Sequence, residues 1–399
     1  RWYIASTTDL EGINSVLADL AASTALTPSV GPTGVDRLAV VDEARWVFDD
    51  VRVDSIPVHA KLELLKFHAD SLEQPDIRTW VARWIDQHRD RRFVSSKGAN
   101  VRHDYQECGF IVSVSMAAGE ATVSERFSRA GHCFDRLRDF RHEHRSELAA
   151  FLNKCAHYMR HAVAVEPGPA TVILAPEVAG VFAHESFGHK SEADFMLGDA
   201  SMLEEWKIGT RVASEMVSIV DTGLAMGSGY MPFDDEGQPA SMTHLIRRGK
   251  LAGRLHSSIT AAALGEPVTG NARAISFRFE PIVRMTTTMI EAGDQTRDEL
   301  FEGVADGYYI ETVKHGSGMS TFTLAPGLCW RIRDGAVAEP VRIAVITGTV
   351  FETLGEIDGV SREVETPFLV GGGCGKMEQW PLSVSFGGPH VRVRSMNLA

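Results

Sequence analysis

The stretch VFAHESFGHKSEADF, residues 181–195, contains two histidines separated by an acid and a glycine. His184, Glu185 and His189 form the pattern H-E-x-x-x-H, in which the histidines lie five positions apart. In a regular helix of 3.6 residues per turn, this spacing turns the second ring about 140° away from the first. A single π-type turn, bonded from i to i+5, returns both rings to nearly the same face. We therefore predict a π-bulge or a local helix break over residues 185–189.

This pattern suggests a catalytic metal site. The zinc-peptidase pattern H-E-x-x-H places its histidines about 40° apart on a helix, so that both reach one ion. Here the glycine at 188 is the residue that most readily lets the backbone distort. Glu185 follows the first histidine, where a carboxylate takes a proton from water at the metal without binding the metal itself. Two histidines leave a catalytic zinc one protein ligand short of the usual three.

The run GGGCGK, residues 371–376, contains a candidate third ligand. Glycines allow the backbone around Cys374 to approach closely, and Lys376 would favour the thiolate. A lone cysteine is also consistent with a small buried hydrophobic residue, so both interpretations stay open. A phosphate cradle is disfavoured, because the run lacks the helix start and the Lys-Ser/Thr pair of a P-loop.

Two other polar groupings have simpler interpretations. His157 and His161 have the i, i+4 spacing of metal ligands, but they lie on the polar side of a predicted amphipathic helix, which favours a solvated surface. The segment DDEG, 234–237, is typical of a tight turn between strands, with a cation site as the alternative.

Composition limits the class of protein. A chain of 399 residues with 44% hydrophobic and 23% charged residues is expected to form two globular domains. The net charge of −13 argues against a nucleic-acid partner. The longest apolar stretch, 171–183, is too short to cross a membrane, and no secretory signal is visible. Five scattered cysteines predict reduced thiols and a cytoplasmic protein.

The hydrophobic pattern divides the chain in two. Helical periodicity at 10–23, 35–48 and 62–72 precedes an antiparallel meander from about residue 91 and a long helix near 134–165. The segment EPGP, 166–169, then breaks the chain, so we predict domains at 1–165 and 166–399. The second domain combines the metal-site helix with many short β runs, near 212–220, 240–252, 275–289, 306–313, 341–348, 382–386 and 390–396. The expected class is α+β.

The motif HESFGHKSEADF resembles the H-E-x-x-G-H-x-x-E-x-D motif of the TldD/PmbA metallopeptidases, with Glu192 and Asp194 on the trailing acids. The resemblance continues in order through DDEG, LIRRGKLAGRLHS, TGNAR, PIVRMTTT, CGK and FGGPHVRV, which end at residue 393. Departures are Ser191, Ala193 and Thr287, where the family usually has Leu, Gly and Asn.

The resemblance implies a TldD/PmbA-like fold and a zinc-dependent peptide hydrolase. Family ligands carry over to His184, His189 and Cys374, and the family's general base carries over to Glu185. It also implies a two-chain complex in which this catalytic subunit pairs with a TldE-like paralogue lacking the motif, although a homodimer stays open. The substrate would be an extended or modified peptide, held as an added β-strand. Glu192 and Asp194 either hydrogen-bond to the ligating histidines or cap the next loop.

Three alternatives remain at this point. The chain could be a non-catalytic scaffold that presents peptide to another chain and holds a structural metal. It could be a thiol-dependent hydrolase with Cys374 as nucleophile. It could also cleave an amide during the maturation of a secondary metabolite.

Overall fold

The described residues up to His161 form a four-stranded sheet packed against helices. The computed structural model describes residues 4–25 and 34–399. The elements here are α1 Ile13–Ala25, α2 Gly34–Arg37, β1 Asp42–Arg45, α3 Val58–Ala69, β2 Ile77–Val94, β3 Asn100–Ala118, β4 Ala121–Gly131, α4 Phe134–Asp139 and α5 Arg141–His161. β3 is central, because it pairs with β1 in parallel and with β2 and β4 in antiparallel orientation.

The long ribbon of β2 and β3 is packed against α3 and α5. Its register runs from Ile77 opposite Met116 to Val94 opposite Asn100. Phe110 and Val112 of β3 are fully buried against Leu148 and Leu152 of α5. The alternation of apolar and polar residues in β3 and the apolar stripe of α5 produce this layer, as the sequence predicted for the meander and the long helix.

Two sequence predictions in this region are wrong. Residues 35–48 form only the short α2 and the strand β1 rather than one helix. The meander begins with β2 at Ile77 rather than near residue 91, and on this strand Trp80 is 43% exposed while Trp84 packs on Phe134. Pairing of β2 with β3 along almost its whole length outweighs the helix-like spacing of its apolar residues.

The remainder of the chain is rich in short strands. Its elements are β5 Val163–Ala164, β6 Gly168–Leu174, α6 Pro176–Phe182, a π-helical turn Ala183–Gly188, α7 Ala200–Glu205, β7 Ile219–Thr222, β8 Met242–Arg247, β9 Lys250–Leu251, α8 Ser258–Leu264, β10 Ala272–Arg273, β11 Ile282–Val283, β12 Thr287–Ile290, α9 Arg297–Glu302, β13 Asp306–Ile310, β14 Val313–Gly318, β15 Thr321–Pro326, β16 Cys329–Arg333, β17 Ala336–Arg342, β18 Ile346–Thr349, α10 Val350–Gly355, β19 Ile357–Val360, β20 Cys374–Lys376, β21 Gln379–Leu382, β22 Ser385–Gly387 and β23 Val391–Leu398.

Two sheets enclose the helix α6. The larger has the order β14-β15-β18-β23-β6-β13-β16-β17-β5, with β19 beside β23, and the smaller has the order β22-β12-β7-β8-β9. α6 contacts strands of both sheets, and all its residues except Glu177 are buried. Pro176 occupies its first turn, where the missing backbone N–H costs no helical hydrogen bond. The helix that carries the metal motif is therefore held from both sides.

The protein is of the mixed α+β class that the sequence predicted. The predicted strands at 212–220 and 275–289 are shorter than expected, since only β7, β11 and β12 form there, and α7 and α8 were not predicted. The division at 165/166 stays a prediction. Within residues 4–25 and 34–399, every helix is too short or too polar to span a bilayer.

Candidate metal centre

A π-helical turn brings the two motif histidines to one face. Residues Ala183–Gly188 follow α6 directly in this conformation, and the backbone N–H of His189 donates to the carbonyl of His184, five residues back. The ring centroids of these two histidines lie 5.0 Å apart. The extra residue of H-E-x-x-x-H is thus absorbed in the way predicted from the spacing.

Gly188 is required for a reason different from the expected one. Its φ of −58° and ψ of −51° are ordinary helical values, so the turn does not use the freedom of glycine. A side chain at this position would instead overlap Sδ of the buried Met285. The glycine therefore allows the π-turn to pack closely against the segment that contains Met285.

Cys374 joins the two histidines from the far end of the chain. One ligand atom each from His184, His189 and Cys374 lie within 4.8 Å of one another, and Cys374 Sγ is 3.3 Å from His189 Nε2. Cys374 opens the hairpin of β20 and β21, and its carbonyl accepts a hydrogen bond of 2.8 Å from the buried Arg284. That bond fixes the backbone at the cysteine.

The electrostatics of the three groups favour a thiolate. Burial opposes the charge, but the adjacent His184 and His189 lower the pKa of the Cys374 thiol to about 5. Burial also opposes charge on His189, but hydrogen bonds with Cys374 and Glu192 raise the pKa of its ring. A negatively charged sulfur thus lies beside a protonated imidazole. In such a pair a metal cation can take the place of the imidazole proton.

Glu185 lies at the edge of this cluster. Its Oε2 is 3.9 Å from His189 Nε2, and its side chain is 24% exposed. Burial raises the pKa of the Glu185 carboxyl, although the two histidines act in the opposite direction. The strand β14 passes beside it, where a Cβ at Gly316 would lie 2.9 Å from Glu185 Cγ. The carboxylate is thus close to the donors without belonging to the three-residue cluster.

The trailing acids of the motif, Glu192 and Asp194, lie beside the centre and both contact Lys376. Glu192 is fully buried and accepts a hydrogen bond of 3.2 Å from His189 Nδ1. Lys376 Nζ lies 3.0 Å from Glu192 Oε2 and donates to both oxygens of Asp194, at 2.6 and 2.8 Å. Glu192 therefore contacts a candidate ligand directly, whereas Asp194 acts through the lysine.

The donor set fits a divalent metal of the zinc type. Two imidazoles and a thiolate are ligands that zinc accepts in proteins. The buried Nδ1 of His184 has no hydrogen-bond partner among the described residues, which leaves a polar atom to be satisfied at the cluster. The hydrogen bond from His189 to Glu192 is the kind of support that ligating histidines normally have.

The other polar candidates lie elsewhere. His157 and His161 are exposed on α5. The DDEG segment is a tight turn, in which buried Asp234 accepts backbone hydrogen bonds from residues 236 and 238, each at 2.9 Å. Sequence reasoning assigned Lys376 only an effect on the thiolate, and it missed Arg284. The only signal for Lys376 was its position two residues after the cysteine.

Comparison with known proteins identifies relatives of this chain. A family model described as the PmbA/TldA metallopeptidase C-terminal domain matches residues 167–399, more than half of the chain. A zinc metalloprotease TldD homolog of Saccharolobus solfataricus is 32% identical over 387 residues, covering 90% of this chain and 84% of that protein. A metalloprotease of Synechocystis is 41% identical over 227 residues, covering 56% of this chain and about half (49%) of that protein.

Solved structures show the same fold at lower identity. TldE from Thermococcus kodakarensis superposes with a TM-score of 0.73 at 15% identity, covering 99% of this chain and 86% of that chain. A protein of Thermotoga maritima described as a putative modulator of a DNA gyrase gives 0.75 at 17% identity, covering 98% and 85%. A family model matches residues 167–399, and a relative is 32% identical over nine-tenths of this chain, so the chain belongs to the PmbA/TldD metallopeptidase family.

Proposed function

We propose that this chain uses zinc to hydrolyse amide or peptide bonds in an extended or modified peptide, with Glu185 as general base. One observation carries the proposal. His184, His189 and Cys374 gather their donor atoms within 4.8 Å, and a half-buried carboxylate stands 3.9 Å from one of those donors. The name of the S. solfataricus relative, a zinc metalloprotease, supports the choice of metal.

The number of donors favours catalysis over a structural role. Structural zinc sites normally have four protein ligands, whereas catalytic sites have three and an open position. The cluster found in the described part of the chain contains three residues. A zinc ion bound there would polarise the scissile carbonyl and make water a stronger acid.

Glu185 is suited to accept and return a proton. A general base works best when its pKa lies near the working pH, and burial raises the pKa of the Glu185 carboxyl in that direction. After taking a proton from water, the carboxyl group can donate it to the leaving amine. His189 keeps its ring orientation through the hydrogen bond to Glu192, so the geometry around Glu185 is maintained.

The edge strand β14 supports an extended substrate. It ends the larger sheet and pairs on one side with β15. Gly316 of this strand lies against Glu185, and a Cβ at Gly318 would be 3.0 Å from the carbonyl of Glu185. A peptide that follows this edge would run past the donors in the extended conformation that β-addition produces.

We also propose a partner chain and a cellular location. A heterodimer with a TldE-like paralogue is supported by the similarity in fold to TldE, and a homodimer is the alternative. Five scattered cysteines support the cytoplasm. Co-purification with a paralogue encoded in the same genome, followed by mass measurement of the intact complex, would distinguish the two assemblies.

The test compares Glu185→Gln and His184→Ala with the parent protein. We expect Glu185→Gln to bind zinc in the parent's amount and to lose at least about a hundredfold in peptide hydrolysis, the lower range for a general base. His184→Ala should lose both zinc and activity. Metal is measured by mass spectrometry, and hydrolysis by chromatography of a mixed peptide digest. Full activity in Glu185→Gln would contradict the mechanism.

The same assay separates the alternatives. A thiol hydrolase would be inactivated by alkylation of Cys374 and would resist chelators, whereas the zinc enzyme loses activity on chelation. A parent protein that binds zinc but cleaves no peptide or modified amide would indicate a scaffold. Cleavage confined to non-protein amides would indicate a role in the maturation of a secondary metabolite.

A further inference from the structure

A large cavity lies between the first sheet and the helix that carries the metal motif. Its volume is about 660 Å³, within the usual range for ligand pockets. One wall is formed by residues 125–130 of β4 and part of α5, and the other by Glu177, residues 312–313 and residues 367–370. The cavity thus joins the two halves of the chain.

Three of the segments that line this cavity continue along the chain to residues at the metal centre. Glu177 is in the first turn of α6, eight residues before Glu185. Residue 370 precedes Cys374 by four positions. Val313 begins β14, whose Gly316 lies against Glu185. An extended chain with its scissile bond at Glu185 could therefore continue into the cavity.

The lining carries more acidic than basic side chains. Arg129 pairs with Glu147 at 2.7 Å, and Lys154 pairs with Glu311 outside the cavity. This leaves the exposed Arg126, with Lys314 outside the lining, to balance the remaining acids, which are Glu125, Glu177 and Glu365.

Glu125 and Glu177 are the best placed of these acids. The Glu125 side chain is 7% exposed, and its nearest cation, Lys314 Nζ, is 4.0 Å away, beyond hydrogen-bond distance. Glu177 is partly buried and has no ion pair or hydrogen bond to its side chain in the described ranges. Desolvated carboxyl groups that accept no hydrogen bond are costly, and a bound cation that donates to them would reduce that cost.

We propose that this cavity is the subsite for a positively charged group of the peptide substrate, held by Glu125 and Glu177. The inference rests on the proposed hydrolysis. Eight residues of helix span about 12 Å, which is about three to four residues of extended peptide. The charged group therefore lies three to four residues from the bond that is cleaved.

Two further observations agree with a cationic ligand. Burial raises the pKa values of Glu125 and Glu177, and the nearby Arg126 and Lys314 offset this only in part. The net charge of −13 would attract cationic peptides and repel anionic ones before binding.

The experiment measures binding without turnover. Zinc-loaded Glu185→Gln protein is titrated in a calorimeter with acetylated, amidated alanine–serine hexapeptides that carry one Lys or one norleucine at each position in turn. A second set has a free amino terminus and no Lys. We expect one Lys position, or the free terminus, to tighten binding about tenfold or more, the range for a charge-assisted hydrogen bond. The set that responds identifies the cationic group.

Three variants decide whether the cavity is responsible. Adding Glu177→Gln or Glu125→Gln should abolish the preference, while Glu63→Gln, which removes an exposed carboxylate of α3, should retain it. Circular dichroism checks folding. Absence of peptide binding, no preference for Lys or a free terminus, or an equal loss with Glu63→Gln would overturn the subsite. Hydrolysis by the parent is scored separately, so a binding preference without turnover would remove only the proposed function.

Discussion

At the scale of single residues, Lys376 connects the segments that build the metal centre. Its ammonium group is 3% exposed and contacts Glu192, Asp194 and the carbonyl of Val283 at 2.6 to 3.0 Å. Because it lies two residues after Cys374, it ties the cysteine hairpin to the carboxylate that orients His189. One buried cation therefore holds residues that are almost two hundred positions apart.

Replacing Lys376 with Met should weaken zinc binding. Loss of the ammonium leaves Glu192 and Asp194 close together without their counter-charge, and loss of support of this kind typically costs about 10- to 100-fold in metal affinity. Competition with a fluorescent chelator measures the affinity, and Lys376→Arg, which keeps the charge, should lose less. Equal affinity in Lys376→Met and the parent would show that the lysine does not position the ligands.

Cys374 should be the most acidic thiol of the metal-free protein. Its pKa of about 5 contrasts with about 12 for Cys108 and Cys155, which burial raises. A thiol reacts as the thiolate, so alkylation of Cys374 should rise as pH increases through about 5 and level off above it. Mass spectrometry of the Cys374 peptide gives the profile, and zinc should protect the residue. A midpoint near 9 would contradict the predicted environment.

At the scale of elements, glycines set how closely α6 and the π-turn approach the strands. A Cβ at Gly180 would overlap the backbone nitrogen of Gly387 in β22, and one at Gly188 would overlap Sδ of Met285. The first obstacle is backbone and the second is the flexible part of a side chain. The two positions therefore differ in how easily the surroundings can adjust.

We expect Gly180→Ala and Gly188→Ala to behave differently. Gly188→Ala should destabilise the protein by about 1–3 kcal/mol through overpacking, and Met285→Ala in the same chain should recover part of that loss. Gly180→Ala should cost more and should not respond to Met285→Ala. Urea unfolding measures the free energies. If Met285→Ala restores the free energy of unfolding of neither glycine variant, or of both equally, the contacts are not those described.

At the scale of the whole molecule, several buried histidines are held neutral. Burial lowers the pKa values of His68, His103 and His390 to about 4. His68 is fully buried with no hydrogen-bond partner for either ring nitrogen among the described residues, and it stacks on Phe110 at 4.2 Å. His144 and Arg145 nearby add to its shift. As the pH falls, the unfolded chain therefore binds protons at these histidines before the folded protein does.

This predicts a loss of stability in mild acid. Each such histidine has a folded pKa of about 4, below its unfolded value of about 6.5. The stability it contributes is thus present above pH 6.5 and lost as pH falls from there toward 4. The free energy of unfolding decreases between pH 7 and pH 5, and His68→Leu should make that decrease smaller by roughly 1–2 kcal/mol. Urea unfolding of parent and variant at both pH values measures this. An unchanged decrease would show that His68 is not held neutral.

The local sequence determined the motif helix because its geometry depends on spacing alone. Two histidines five positions apart can share a face only if the helix changes its bonding, so H-E-x-x-x-H predicted a π-bulge or a helix break, and the structure has the π-turn. Alternating patterns likewise predicted β3 and β4. In contrast, the pattern placed the start of the meander near residue 91 rather than at Ile77, because the conformation of β2 is set by pairing with β3 rather than by its own side chains.

Only the tertiary structure decided which distant groups meet. No local pattern places Cys374 at 3.3 Å from His189, because the approach depends on how β20, α6 and the two sheets pack. The same packing creates the cavity of Glu125 and Glu177 between the two halves of the chain. Interactions within one turn or hairpin can be read from neighbouring residues, whereas contacts between remote segments depend on the burial of the whole core.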